Sequence, residues 1–93
     1  MGEPNYEFKC MVDGRTARGL LYGDRIELVV KTPLRRPSTQ TIPIRSLTSV
    51  TSARDGMAWQ KITLHVGGGA TIDFRVAKGR AEEVASKVQA LLF

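Results

Sequence analysis

Alternation of apolar and polar residues runs through the first third of the chain and predicts short β-strands. Within residues 6–12 every second side chain belongs to one face, which is the period of a strand with one buried side. Asp13-Gly14 then indicates a turn. A second strand is predicted at about residues 18–22, and after Gly23-Asp24 a third one at residues 25–31. The economical interpretation is a three-stranded antiparallel meander.

The middle of the chain predicts a loop and two further strands. Residues 32–39 contain two prolines and no periodicity, so they are expected to form the longest loop. In residues 41–52 the apolar spacing changes from alternation to three-residue steps near Arg45-Ser46, which predicts one strand, a bend and another strand. Pro43 has no N–H to donate, so we expect either that its strand lies at a sheet edge or that this position points outward.

The last third predicts a hairpin followed by a helix. Strands are expected at residues 59–66 and 70–77, joined by three consecutive glycines that can adopt the positive φ of a tight turn. After Gly79 the period becomes helical, with Glu82 and Glu83 predicted in the first turn, where the helix dipole favours acids. The apolar stripe of this amphipathic helix comprises Ala81, Val84, Ala85, Val88, Leu91 and Leu92.

Composition bounds the chain to a single domain. With 93 residues, of which 42% are hydrophobic and 25% charged, the chain suffices for one core, and we expect one domain over residues 1–93 with an ordered core from about residue 6. The apolar runs are too short for a membrane span, and we expect no secretory leader in the first residues. A lone cysteine, Cys10, favours a reducing compartment, and the cytoplasm is the expected location.

Two sequence features resemble a known superfold. The segment IPIRSLTSV and the turn GLLYGD, at Gly19 to Asp24, are similar to segments of the pleckstrin-homology-like (PH-like) superfold, and most closely to short bacterial PH-like and GRAM-like domains. The resemblance extends from Tyr6 to Phe93 and rests on apolar spacing and turns. It implies an open barrel of about seven antiparallel strands in two packed sheets, capped by the amphipathic C-terminal helix.

The resemblance also implies where a ligand would bind. On this fold the loops at residues 13–17, 32–39 and 67–69 are expected to gather at the open end of the barrel. In eukaryotic relatives this end binds inositol phosphates through basic residues of the first hairpin. A candidate anion site at this end consists of Arg15, Arg18, Arg35 and Arg36, since arginine can make bidentate contacts to phosphate or carboxylate.

Other residues are candidates for protein contacts, and no reactive constellation is present. Trp59, Leu92 and Phe93 are candidate interaction residues, because tryptophan is enriched at interface hot spots and the chain terminus is apolar. Cys10 is predicted to point inward and His65 outward, so they do not form a nucleophile pair. The sequence contains no catalytic, cofactor-binding or metal-binding motif, and we expect no enzyme and no cofactor.

Three functions are consistent with these residues. The leading hypothesis is a non-enzymatic protein-interaction or self-assembly module of PH-like fold that binds a partner protein or forms homo-oligomers through exposed sheet edges. The formal net charge of +5 leaves two alternatives. One is recognition of an anionic lipid surface or phosphoinositide through the arginine-rich end. The other is nucleic-acid binding by a small β-barrel, although few aromatic side chains are left for base stacking.

Overall fold

The first four strands form an antiparallel meander. The computed structural model, which describes residues 3–92, has strands β1 (Tyr6–Val12), β2 (Arg15–Leu21), β3 (Arg25–Val30) and β4 (Ser38–Pro43). Each strand pairs with the next one along the chain. β2 begins three residues earlier than the pattern predicts, because its first two inward positions are the small residues Ala17 and Gly19, which give a weak hydrophobic signal. β4 likewise begins inside the predicted loop.

The remaining elements are three strands and the helix. They are β5 (Leu47–Asp55), β6 (Trp59–Val66), β7 (Thr71–Ala77) and α1 (Lys78–Leu92). The predicted class, a mainly β fold of seven antiparallel strands with one C-terminal helix, is confirmed. The helix begins one residue before Gly79, so Glu82 and Glu83 lie in its second turn, and its first turn contains no acid.

All seven strands belong to one curled sheet that forms a half-barrel. The strand order is β4-β3-β2-β1-β7-β6-β5. The predicted two packed sheets are therefore two halves of one sheet, β1–β4 and β5–β7. Their junction is short, since the recorded β1–β7 register consists of the pair Met11 and Arg75. β4 and β5, which are consecutive along the chain, lie at opposite edges of the sheet, and Pro43 is on an edge strand as predicted.

One hydrophobic core fills the concave side of the sheet, and α1 packs against β5, β6 and β7 to cover it. Burying this apolar surface is the main favourable contribution to folding. The buried members of the core are Phe8, Cys10, Ala17, Leu21, Ile26, Leu28, Ile42, Leu47, Ile62, Leu64, Phe74, Val76, Ala81, Val84 and Val88.

Gly19 makes room for an aromatic ring within this core. A Cβ atom built on Gly19 would lie 2.1 Å from Cζ of Phe8, so the Phe8 ring occupies the place of the missing side chain. Phe8 and Gly19 are directly opposite each other on β1 and β2. The ring also packs against Phe74 of β7, at 5.5 Å between centroids, and thereby connects the two halves of the sheet.

A single 3-10 turn, Ile44–Ser46, joins the two edges of the sheet, at the bend predicted near Arg45-Ser46. Ile44 N–H donates to Asp24 O at 2.9 Å, and Gly67 N–H donates to Ser46 O at 2.8 Å. These bonds place the glycine hairpin beside the Gly23-Asp24 turn. The expectation that residues 67–69 gather with the loops at residues 13–17 and 32–39 stays a prediction. Those two loops lie at the other end of β2 and β3, and Asp73 at the start of β7 lines a cavity with Asp13 and Gly14.

Candidate functional site

The outer edge of β5 presents unpaired backbone groups. Val66 N–H donates to Ala70 O, so the backbone N–H and C=O groups of Val66 point toward β7. Those of its neighbour His65 therefore point toward β5. The backbone N–H and C=O groups of successive strand residues point to opposite neighbouring strands. Ser49 of β5 is the partner of His65, so the backbone groups of Ser49 and of every second residue after it point toward β6. The N–H and C=O groups of Val50, Ser52 and Arg54 consequently point away from the sheet.

The two edges of the sheet differ in how well they are protected. β5 has nine residues and contains neither proline nor lysine. β4 has six residues, follows Pro37 and ends at Pro43. By the same alternation the backbone groups of Ile26 and Ile42 point toward each other. The backbone groups of the alternate β4 residues Thr39, Thr41 and Pro43 therefore point away from the sheet. Pro43 thus removes one outward donor without removing a ladder hydrogen bond, which is a common way of protecting an edge.

Side chains on the core face of β5 leave this edge accessible. Val50 is half-buried against the core, whereas Ser52 and Arg54 are exposed. The Ser52 hydroxyl accepts a hydrogen bond from Gln60 Nε2 at 2.7 Å. The far half of β5 is therefore a polar stretch whose residues are mostly exposed to solvent.

The predicted interaction residues occupy different environments. Trp59 begins β6 directly opposite Asp55 of β5 and Ala77 of β7, and 38% of it is exposed. Met57, in the preceding turn, is 95% exposed. Leu92 is half-buried and packs against the hydrophobic core. Phe93 lies outside the described residues.

Two of the four predicted arginines, Arg15 and Arg18, lie on β2, and the other two lie in the loop between β3 and β4. Arg15 lines a cavity with Lys31 and residues of both adjacent loops, and Arg18 lines another that also includes Lys31. Arg35 and Arg36 are exposed in the loop between β3 and β4 and line neither of these cavities. The exposed Leu34 beside them has a φ of 61°, a conformation that is uncommon for leucine.

A basic cavity on the outer face of the first half of the sheet contains the predicted Arg18 together with Lys9 and Lys31 from adjoining strands, and it also contains Arg80, which the sequence did not indicate. Its volume is about 640 Å³. Lys9 of β1 and Arg18 of β2 are directly opposite each other, and the N–H of Lys31, just after β3, donates to Thr16 O at 3.0 Å. The cavity is lined by Glu7, Phe8, Lys9, Arg18, Lys31, Ala77 and Arg80.

The one ion pair among the described residues that line this cavity leaves most of the positive charge of the cavity uncompensated. Arg18 Nη1 lies 3.0 Å from Glu7 Oε2. Within residues 3–92, Lys9, Lys31 and Arg80 form no salt bridge. Four cations and one carboxylate line the cavity, which leaves a net of three positive charges.

Arg25 differs from the cations of this cavity, because its guanidinium contacts an aromatic ring and two carboxylates. Its guanidinium lies 3.9 Å from the centroid of the Tyr22 ring and forms ion pairs with Glu27 at 2.9 Å and Asp24 at 2.8 Å. The hydrogen bond to Glu27 is the main cause that raises the pKa of Arg25. Arg25 has no unused hydrogen-bonding capacity comparable to that of the cavity cations.

Two side chains of β1, those of Cys10 and Tyr6, have raised pKa values. Burial raises the pKa of the Cys10 thiol to about 12. Burial also raises the pKa of Tyr6, whose hydroxyl is enclosed near Arg80 and Glu83 but makes no hydrogen bond of good geometry with a described residue. His65 is half-buried on the outer face, where its Nε2 lies 3.1 Å from Thr51 Oγ1. Cys10 and His65 are on opposite faces of the sheet, as predicted.

Comparison with known proteins adds no relative. No protein-family model matches the chain, and no curated protein matches it in sequence. Within residues 3–92, no helix has both the length and the apolar character needed to cross a membrane.

Proposed function

We propose that this protein is a non-enzymatic interaction module of PH-like type that accepts an extended strand, from a partner protein or from another copy, along the edge of β5. The observation that carries the proposal is the difference between the two sheet edges: β4 is short and bounded by prolines, whereas β5 offers nine residues without such protection. Exposed edges of this kind favour pairing with another strand, so an unprotected edge fits a protein that uses it.

Strand addition suits the chemistry of this edge. The outward N–H and C=O groups of Val50, Ser52 and Arg54 can form a ladder with any extended peptide, so backbone hydrogen bonds would provide affinity. Side-chain selectivity would come from the residues beside the ladder. Trp59 and Met57 lie at the end of β5 and supply exposed apolar surface, which suits Trp59 as an anchor for a partner side chain.

The expected compartment fits such a module. Cys10 is a free thiol buried in the core, and a buried unpaired thiol is compatible with a reducing environment such as the cytoplasm. PH-like open barrels with a capping helix have sheet edges available for strand addition, and the strand order of this half-barrel is compatible with that family.

Peptide selection tests the proposal with a matched pair of variants. Random peptides displayed on phage are panned against the wild-type chain, and selected peptides are measured by fluorescence of Trp59, which is the sole tryptophan. Ser52→Pro removes an outward donor on β5, and Thr41→Pro does the same on β4. We expect Ser52→Pro to abolish binding and Thr41→Pro to preserve it. Equal loss in both variants would contradict use of the β5 edge.

Self-assembly through the same edge is tested separately. Light scattering over a dilution series measures the molar mass, and hydrogen exchange follows the amides of Val50, Ser52 and Arg54. If copies pair through β5, the mass rises with concentration, these amides become protected, and Ser52→Pro restores the monomer. Protection at β4 instead would show that the other edge assembles.

A further inference from the structure

We infer that the strand accepted by β5 is an acidic segment of another protein and not a second copy of this chain. This inference rests on the proposed strand addition and adds the chemistry of the partner. Residues 45–66, which include β5 and β6, contain three Lys or Arg residues, Arg45, Arg54 and Lys61, and one acid, Asp55. Acids of a partner strand would therefore meet cations near both ends of β5.

The one acid of this region is already neutralised. Asp55 Oδ2 forms an ion pair with Arg75 of β7. Among the described residues, neither Arg54 nor Lys61 forms a salt bridge, although Lys61 lines a cavity with Asp73. Lys61 is directly opposite Arg75, and like charges at such positions are destabilising. A carboxylate from a partner strand would relieve this repulsion, and a second one would give Arg54 an ion pair.

The positions of these two cations define where the acids of the partner would lie. On the core face, Arg54 is beside the partner residue that pairs with it. On the outer face, Lys61 of β6 is directly opposite Ala53 of β5. Ala53 has the smallest side chain of β5, so a carboxylate opposite Ala53 can reach Lys61 across two strand spacings, about 10 Å in total. Two consecutive acids in the partner would therefore engage both cations.

Val50 adds an apolar position at a fixed spacing. It lies on the core face of β5 and is half-buried against the core, so an apolar partner side chain beside it would bury further apolar surface. Along β5, Val50 is three residues from Ala53 and four from Arg54. The expected partner segment therefore has an apolar residue three and four positions from two consecutive acids.

Charge also separates an acidic partner from a second copy. The chain has a formal net charge of +5, so two copies repel each other, whereas an acidic partner is attracted. A second β5 strand would offer no free acid to Arg54, because its one carboxylate, Asp55, is paired with Arg75. An acidic segment of another protein avoids both of these costs.

Charge reversal at β5 tests the inference. A random peptide library displayed on phage is panned against the wild type and against Arg54→Glu with Lys61→Glu. We expect the wild type to select consecutive acids at the stated spacing from an apolar residue, and the reversed variant to select basic residues there. The matched control, Arg36→Glu with Lys31→Glu, changes the net charge equally at exposed positions away from β5 and should still select acids.

Affinity measurements then use the tightest peptide from the wild-type selection and an uncharged version, with Asn for Asp and Gln for Glu. Binding is followed by Trp59 fluorescence. At low salt the uncharged version should bind the wild type about fivefold more weakly, because two exposed ion pairs are lost. This difference should vanish in Arg54→Gln with Lys61→Gln and shrink at high salt, and it should persist in Arg36→Gln with Lys31→Gln.

The outcomes separate this inference from the strand addition on which it rests. Peptides without acids whose binding is lost in Ser52→Pro would overturn the acidic partner and leave strand addition standing. Peptides that bind Ser52→Pro as well as the wild type, or a selection that yields no peptide, would contradict both. Acid selection by the β5 charge-reversed variant, or dimers that pair through β5 at low ionic strength, would also overturn the inference.

Discussion

The two halves of the sheet bury their concave faces in different ways. In β1–β4 the central contact is between the neighbouring strands β1 and β2, where the Phe8 ring lies over Gly19. In β5–β7 the corresponding cover is α1, which contributes the buried side chains Ala81, Val84 and Val88. The first half ends at the proline-bounded edge of β4, and the second at the longer, proline-free edge of β5.

This difference shows how one small sheet can combine a rigid part with a surface open to partners. In β1–β4 a core side chain packs against the backbone of the same half, so the outer face of this half stays accessible to solvent. The basic cavity lies on that face. A half covered by a helix can leave its edge unpaired, since its stability comes from the helix and not from a further strand. The predictions below test this division.

The largest expected effect concerns Gly19. In Gly19→Ala the new methyl group would displace the Phe8 ring, and we expect the free energy of unfolding to fall by about 3 kcal/mol in urea denaturation. Gly23→Ala is the matched control, because its Cβ meets nothing within 4 Å, and it should be neutral or slightly stabilising. Similar losses in the two variants would show that the first half does not depend on this contact.

A smaller effect is expected from the helix that covers the second half. Val84 is fully buried, and Val84→Ala should lower the free energy of unfolding by about 2 kcal/mol through lost burial and a residual cavity. Ser86→Ala, on the exposed side of α1, should change it by less than about 0.5 kcal/mol. If Val84→Ala were as harmless as Ser86→Ala in urea denaturation, α1 would not be the main cover of β5–β7.

Alkaline pH should act on the first half through Cys10. The folded-state pKa is about 12, above the ordinary value of 9.0, so the unfolded chain releases the thiol proton first as the pH rises. Stability is therefore fully present below pH 9 and falls by about 1.4 kcal/mol per pH unit above it, until about pH 12.

Urea denaturation of the wild type and Cys10→Ala at pH 7 to 10 checks this slope. The variant lacks the thiol, whereas both proteins keep Tyr6, whose own raised pKa acts at still higher pH. We expect the two stability curves to run parallel below pH 8 and to converge above pH 9. Curves that stay parallel would mean that the thiol ionises in the folded protein.

The smallest effect is expected at the two edges. Ser52→Pro and Thr41→Pro each remove an outward N–H that makes no ladder bond, so each should lower the free energy of unfolding by less than about 1 kcal/mol. The Ser52 variant also loses the hydrogen bond from Gln60. Thermal melting with circular dichroism measures both. Unfolding of Ser52→Pro would contradict the outward orientation derived for this amide.

Much of the fold follows from local patterns. Alternation predicts β1, β3, β6 and β7, and the change of period predicts the helix. The start of β2 is missed because Ala17 and Gly19 bury little apolar area, and the need for glycine at position 19 arises only from the ring across the strand. The hydrogen bond from Gly67 N–H to Ser46 O, which ties the glycine hairpin to the 3-10 turn, could not be predicted, because it depends on how the two edges of the sheet are joined.

The basic cavity is only partly encoded in local sequence. The Asp13-Gly14 turn fixes a register in which Lys9 faces Arg18, so that pair could have been predicted from the hairpin alone. Arg80 could not, because its place depends on the short contact between β1 and β7 and on the docking of α1. Arg35 and Arg36 are assigned to the candidate anion site only through the position that the resemblance implies for their loop, and a pattern in the sequence does not fix where the side chains of such a loop lie.

The 3-10 turn at Ile44–Ser46 divides the chain into two pieces that are each contiguous in sequence, β1–β4 and β5–α1. Pairing within each piece involves only neighbouring strands, and the pieces meet through one core and a short strand contact. We therefore expect the protein to reassemble from two separately expressed fragments cut at this turn, with fragment affinity supplied by the shared core. Such a split form would report, by its reconstitution, any ligand that bridges β1–β3 and α1.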